Sequence, residues 1–498
     1  MKVVRAVPGS AWLCALVAVL NAAAWSLVTP IFQAPDETAH AAYAQYVAER
    51  GRPPTGDPGL KAASQEQRRL MRTLGFKQVE FRLDNRPLTT AADRKRIRRV
   101  AEGPNERQGE GGYNFATNNP PLYYALEAVV YHASPSSNLT DRIHLMRLFS
   151  ALLAGLTTIF VFLFCRELLP GSPWAWTVGA LAVALLPQFA NVAGGVNNDN
   201  LLFAASAGCF YLLALGFRRG LDPRLGLALG ALAAIGFLAK INIAGLLPGF
   251  ALGVGLIVLQ AEGAERRTAI RGALAALAAF TLPALAYMAA NTALWDRSLL
   301  RGTTESSAPP SSAPALPEAI PTPTTEPQLL EGVSYVWQFY LPRLPFMDSL
   351  VPGYPLADIW LEGFVGRFGL LEFGWPGWVY ALAAAVFVAL GCLAARELWL
   401  QRATLRDRAG ELAAYAASML GLLAIVHWAG YTSRLENEGG FEQGRYLFPL
   451  LALYAAVIAL AARGAGRRWG PAVGVLIVCL AIAHSLVALL VALDRYYG

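Results

Sequence analysis

LGLALGALAAIGFLAKINIAGLLPGFALGVGLIVLQ, residues 225–260, is apolar from end to end except for Lys240 and Asn242. A helix crosses the bilayer core in roughly 20 residues, so this run is long enough for two crossings. Lys240 then falls at the hairpin between them. Comparable runs occur along the whole chain, at about 11–31, 147–167, 174–193, 201–217, 224–240, 242–260, 271–291, 375–394, 411–431, 446–463 and 471–492. Of the 498 residues 55% are hydrophobic and only 15% charged, a balance that excludes an ordinary soluble domain. The sequence predicts an all-α polytopic membrane protein of about eleven transmembrane helices.

The remaining composition narrows the class. Cys14, Cys165, Cys209, Cys392 and Cys479 all lie in apolar runs, without disulfide or zinc spacing. The net charge of +7 includes no basic block interleaved with aromatics, so no nucleic-acid partner is expected. Lys2 and Arg5 precede an apolar stretch in the manner of a signal peptide, but its length favours an uncleaved first span.

Arginines orient the spans. Arg166, Arg218, Arg219 and Arg224, then Arg266, Arg267 and Arg271, lie in alternate loops. Arg396, Arg402, Arg406 and Arg408, then Arg463, Arg467 and Arg468, continue the alternation. The positive-inside rule makes these loops cytoplasmic, with the N-terminus inside and the C-terminus outside. The alternation requires that NNPPLYYALEAVVYHASP (118–135) lie in the interface and not cross. The expected organisation is an N-terminal membrane module, 1–291, with a large outer loop, 32–146. An outer loop at 292–374 with a Pro/Ser/Thr-rich linker at 303–327 follows, and the transmembrane helices of 375–498 complete the chain.

Unusual polar residues collect on the outer side. In APDETAH (34–40), Asp36, His40 and Tyr43 share a helical face. Helix capping is the competing explanation for the acids, though it leaves the aligned histidine unexplained. Asp199 lies in NVAGGVNNDN (191–200), a turn that reads equally as a plain Asn/Gly loop. Lys240 either snorkels or meets a phosphate. Arg445 in FEQGRYLFP (441–449) opposes the positive-inside trend, which suggests a specific anionic partner. Arg367 and Glu372 in EGFVGRFGLLEFGW (362–375) make a weaker case, and His427 and His484 read as core histidines.

These motifs, in this order, resemble the C-type (GT-C) membrane glycosyltransferases, in particular the branch of protein O-mannosyltransferases and lipid A aminoarabinose transferases. The resemblance rests on Asp36-Glu37 after the first span, Tyr43-Ala44, the string Pro120 to Tyr124, RLFSALLAGLTTIFVFLFCREL (147–168) and Asp199. PDETAH with QGRYLFP is also similar to an uncharacterised bacterial group of membrane proteins in that superfamily. Asn119 stands where the aminoarabinose transferases carry lysine, and the proline-rich loop has no counterpart.

The resemblance implies transfer of a sugar from a polyprenyl-phosphate donor to a lipid, glycan or protein acceptor, outside a bacterial cytoplasmic membrane. It implies a catalytic set of Asp36, Glu37, His40 and Asp199, with Asp36 as base. Lys240, Arg445 and Arg367 would bind the donor phosphate, and Tyr43, Tyr123 and Tyr446 the substrate. No cofactor is required, although Asp36, His40 and Asp199 form a conceivable divalent-metal set. A lipid-linked sugar flippase, or a glycan polymerase or ligase, is the alternative.

Orientation is directly testable. In a cysteine-free background, a single cysteine at residue 320 reacts with an impermeant thiol reagent in intact cells, and one at residue 405 does not. The reverse labelling overturns the topology.

Overall fold

The computed structural model describes residues 7–55, 64–79, 82–86, 90–102, 114–299, 329–341, 343–347, 356–435 and 442–498. The linker at 303–327 lies outside them. Six helices precede the second long one: α1 (Gly9–Val28), α2 (Glu37–Arg50), α3 (Gln65–Thr73), α4 (Phe76–Val79), α5 (Ala91–Ala101) and α6 (Leu122–Ala133). Then come α7 (Leu139–Leu168), α8 (Pro173–Ala184), α9 (Pro187–Ala193), α10 (Asp199–Arg219), α11 (Pro223–Ala239), α12 (Leu247–Gln260) and α13 (Gly263–Ala293). The C-terminal part holds α14 (Leu329–Gln338), α15 (Leu356–Val365), α16 (Gly377–Leu400), α17 (Arg402–Asp407), α18 (Ala409–Leu435), α19 (Leu451–Gly464) and α20 (Gly466–Tyr497). A two-stranded antiparallel hairpin, Arg367–Phe368 with Phe373–Gly374, separates α15 from α16.

Among the described residues, eight helices are long and apolar enough to cross a membrane. The pair α8 and α9, bent by 59°, forms a ninth when taken as one span. Pro187 opens α9 without an N–H to donate, and Leu186 before it is extended, which breaks the helix there. The shorter apolar helices α11 and α12 occupy the remaining two expected runs. α6 is only 12 residues long, as expected for the non-crossing segment at 118–135. The protein is thus an all-α polytopic membrane protein.

The two ends of the bundle differ chemically. At one end arginines tie helix termini together: Arg408 donates to the Leu168 carbonyl at 3.0 Å, and Arg219 pairs with Glu167 at 3.3 Å. Arg463 pairs there with Glu397 at 3.0 Å. At the other end, the start of α2, the start of α10, the end of α11 and the 3-10 turn Gly444–Leu450 converge. Helices from both halves of the sequence interleave, α19 packing on α8 and α7, and α12 on α18.

Small residues permit the close approach of α11 and α13. A Cβ on Gly226 would lie 1.9 Å from the Gly272 carbonyl oxygen, and one on Gly230 would lie 2.1 Å from that of Ala276. Four positions apart, both glycines face α13 across one seam. Gly230→Val therefore forces backbones apart and costs about 1–3 kcal/mol or more. Gly255→Ala, which meets nothing within 4 Å, is the matched control. Thermal unfolding in detergent separates them: Gly230→Val melts lower and Gly255→Ala melts as wild type.

Candidate active site

The loop from α1 to α2 is fixed by one buried ion pair. Arg147 of α7 donates from Nε to Glu37 Oε1 at 2.6 Å and from Nη2 to Oε2 at 2.5 Å. Its remaining N–H groups reach the carbonyls of Ser26 at 2.8 Å, Thr29 at 2.7 Å and Pro30 at 2.9 Å, at and beyond the C-terminal end of α1. All the guanidinium donors are thereby used, and orphan carbonyls of α1 are satisfied. Glu37 also accepts from Phe32 N at 2.8 Å and Val196 N at 3.1 Å. Both side chains are fully buried, which such a pair tolerates because every polar atom has a partner. Glu37, expected in the catalytic set, is therefore saturated and anchors the site from beside it.

Asp36 is held in the left-handed region at φ 58°, and Phe32 in the same loop at φ 69°. For a buried aromatic residue that conformation is strained, and the Glu37 network overrides the cost. Asp36 precedes α2 but its side chain makes no capping bond. It pairs instead with Arg445, which follows it by 409 residues. The Asp36 side chain is 34% exposed, whereas Arg445 is 2% exposed, so the acid is the open member of the pair.

Asp199 completes the cluster. It begins α10, where the helix dipole favours a carboxylate, and its Oδ1 accepts from Lys240 Nζ at 2.6 Å. Its Oδ2 lies 3.9 Å from Arg445 Nε. Lys240 ends α11 in an extended conformation, so the break between the two apolar helices carries the cation. Tyr446 lies beneath both cations, 5.1 Å from Lys240 and 5.5 Å from Arg445. Among the described residues, Asp199 Oδ2 and Arg445 Nε and Nη1 are buried without a hydrogen-bond partner. Such atoms are costly to leave unsatisfied and mark where a polar ligand fits.

An aromatic wall backs the cluster. His40 Nδ1 meets the Tyr124 hydroxyl at 2.8 Å, and Tyr43 packs on Tyr124 with ring centroids 4.0 Å apart. Burial pulls the His40 imidazole down to about 4, with Lys240 and Arg445 pushing the same way against Asp36 and Asp199; it is neutral at pH 7. Burial raises the Asp36 carboxyl, but Arg445, His40 and Lys240 outweigh that and hold it below the usual carboxylate range. The Tyr123 hydroxyl accepts from Asn197 N at 2.9 Å and meets Ser150 Oγ at 2.8 Å.

The structure thus brings together Asp36, His40, Asp199, Lys240, Arg445 and Tyr446, with Tyr43 and Tyr123 in the wall. Arg367 is engaged elsewhere, by Glu362 and by the Leu371 carbonyl at 3.1 Å, in the hairpin before α16. Among the described residues no group of three or more His, Cys, Asp and Glu side chains is placed to hold a metal ion. Asp36 and Asp199 already face Arg445 and Lys240, so the trio with His40 does not fit a divalent cation.

Sequence reading missed Arg147, hidden as one arginine at the head of an apolar run, and the two asparagines before Asp199. Asn197 Nδ2 donates to the Pro35 carbonyl at 3.2 Å and Asn198 Nδ2 to that of Ala239 at 2.8 Å. They clamp the segments carrying Asp36 and Lys240 around Asp199. Glu127 was also missed: it is fully buried, reached by Ser150 Oγ at 3.3 Å, and burial pushes its carboxyl well up.

A family model described as "Predicted membrane protein (DUF2142)" matches residues 19–454, a range that includes the whole cluster. No curated protein matches the sequence. Among solved structures, the chain is similar to the archaeal oligosaccharyltransferase AglB from Archaeoglobus fulgidus in complex with an inhibitory peptide and a dolichol-phosphate. The identity is 12% and the TM-score 0.49, over 98% of this chain and 56% of that one. The apo form of the Archaeoglobus fulgidus oligosaccharyltransferase gives 12% identity and a TM-score of 0.45, over 98% and 56%. The chain spans little more than half the length of these structures.

The anchor predicts a contrast between two arginines. Arg147→Ala strands Glu37 in the core and destabilises by about 3–5 kcal/mol. Arg367→Ala loses a partly exposed pair and costs on the order of 1 kcal/mol or less. Chemical denaturation in detergent measures both, and a stable Arg147→Ala protein removes the anchoring role.

Proposed function

The chain belongs to the DUF2142 family of predicted membrane proteins, and from its buried acid–cation cluster we propose that it is a membrane glycosyltransferase. It moves a sugar from a polyprenyl-phosphate donor to an acceptor hydroxyl, in the manner of the O-mannosyltransferase and aminoarabinose transferase branch. The site faces outside a bacterial cytoplasmic membrane, with the N-terminus inside and the C-terminus outside. The observation that carries this reading is the incomplete quartet of Asp36, Arg445, Asp199 and Lys240: two cations and unsatisfied N–H groups at a span end, beside a half-open carboxylate.

Each residue then has a chemical task. Arg445 and Lys240 receive the donor phosphate and stabilise the negative charge that develops as it leaves. Asp199 holds Lys240 in place. Asp36, released as Arg445 turns to the phosphate, accepts the proton of the acceptor hydroxyl. The acceptor oxygen bonds to the anomeric carbon from the face opposite the phosphate. The bond from that carbon to the phosphate oxygen breaks, its electron pair stays on polyprenyl phosphate, and the anomeric centre inverts. Before the donor arrives, Arg445 keeps Asp36 a weak base.

Asp36→Asn keeps the size of the side chain and removes its basicity. Transfer falls by about 100-fold or more, while the donor binds at least as tightly, because Arg445 is no longer shared. Lys240→Ala and Arg445→Ala each weaken donor binding by about 1.5–3 kcal/mol. Incubation with radiolabelled polyprenyl-phosphate sugars checks both: a transferase consumes the donor, whereas a flippase only relocates it. Near-normal transfer by Asp36→Asn overturns the assignment of the base.

A further inference from the structure

The second concentration of charge lies away from the cluster but at the same end of the bundle. α5 carries Arg94, Lys95, Arg96, Arg98 and Arg99 against a single acid, Asp93. α3 packs on it and adds Arg68, Arg69 and Arg72; its acid, Glu66, is buried and accepts from Gln45 at 3.1 Å. Neither helix is apolar enough to cross a membrane. Their basic surface plays no part in the transfer chemistry.

A cavity of about 660 Å³ opens against this surface. Arg94 and Arg98, one helical turn apart, line one wall. The turn into α7 lines the cavity with Ser136 and Ser137, the first turn of α7 with Thr140, and Tyr497 borders it. Two carboxylates also line it. Asp141 accepts from Ser136 Oγ at 2.7 Å, and Glu102 closes the C-terminal end of α5. Pro30 forms part of the lining, and its carbonyl accepts from Arg147, so the cavity shares a wall with the anchor under Asp36.

This combination selects a ligand class. Paired guanidinium groups recognise phosphodiesters or carboxylates through two parallel hydrogen bonds. Serine and threonine hydroxyls with two carboxylates match the hydroxyls of a sugar or polyol, and Tyr497 adds an aromatic ring at the border. The volume is that of a site for a discrete ligand, and its concavity favours a chain end over a flat bilayer surface. We propose that the cavity binds an anionic, hydroxyl-rich chain, a phosphodiester-linked polyol or a uronate-bearing glycan. Resting on the transferase reading above, it is the subsite that holds the remote part of the acceptor, whose binding positions the reacting end.

Binding is measured without transfer, on the full chain in phosphatidylcholine nanodiscs, with a fluorescent glycerol-phosphate hexamer and a fluorescent uronate hexasaccharide as probes. Arg94→Gln/Arg98→Gln removes the cavity cations; Lys95→Gln/Arg99→Gln removes the same charge from positions about 100° round the helix. The first pair weakens whichever probe binds by about tenfold or more, and the second by far less. The preferred probe tells phosphodiester from carboxylate. Equal loss in the two pairs, or no binding of either probe, overturns the proposal. So does loss of binding when phosphatidylglycerol enters the nanodisc, which assigns the patch to lipid headgroups. If binding follows the cavity pair but no donor is consumed, the cavity stands and the transferase reading falls. If Asp36→Asn abolishes transfer while the cavity pair leaves binding intact, the reverse holds.

Discussion

The buried pair of Glu37 and Arg147 is the constraint on which the site depends. A charged pair with no exposed surface is stable only when every donor and acceptor is matched, and here Arg147 collects the α1 carbonyls while Glu37 collects Phe32 and Val196. The consequence is geometric. The chain leaving the first span is bent into two left-handed residues, and the second of these is Asp36. Its side chain is turned away from the helix it precedes and toward Arg445.

Around that fixed point the other charged residues are set by helix ends. Asp199 starts a helix and Lys240 ends one, each at the terminus whose dipole favours its charge. The Asn197 side-chain amide ties the start of α10 to the Asp36 loop at the Pro35 carbonyl, and that of Asn198 ties it to the end of α11 at the Ala239 carbonyl, so buried amides on main-chain acceptors hold the cluster. The glycine pair upstream matters for the same reason: a Cβ on Gly194 would meet the Ala22 carbonyl at 2.8 Å, and the loop could not approach α1. Rigidity in the anchor contrasts with the exchange available in the quartet, where Arg445 has two acids to choose between and unsatisfied donors of its own.

Much of the membrane architecture was legible in the sequence. Hydrophobic length is a local property, and each expected run contains a helix, with α6 stopping short as its composition requires. The arginine clusters likewise gather at one end of the bundle. The candidate site was legible in part. Asp36, Lys240 and Arg445 stood out because charge at a span end is expensive and therefore rare. The turn of Glu37 toward Arg147 was not legible, because adjacency to Asp36 says nothing about which way a side chain points after a left-handed residue. Arg367 is drawn away from the cluster by Glu362, which lies in the preceding helix α15, a pairing that charge at a span end alone does not reveal.

The sequence by itself determined the class of protein, the helices and the end of the bundle at which polar residues collect, since each follows from the transfer free energy of short segments. Only the tertiary structure decided which charges meet. Asp36 and Arg445 are 409 residues apart, Glu37 and Arg147 are 110, and Lys240 and Asp199 are 41. No local propensity encodes such pairings. They are fixed by how helices of both halves interleave, because a buried charge must find its partner wherever packing brings one within hydrogen-bond reach.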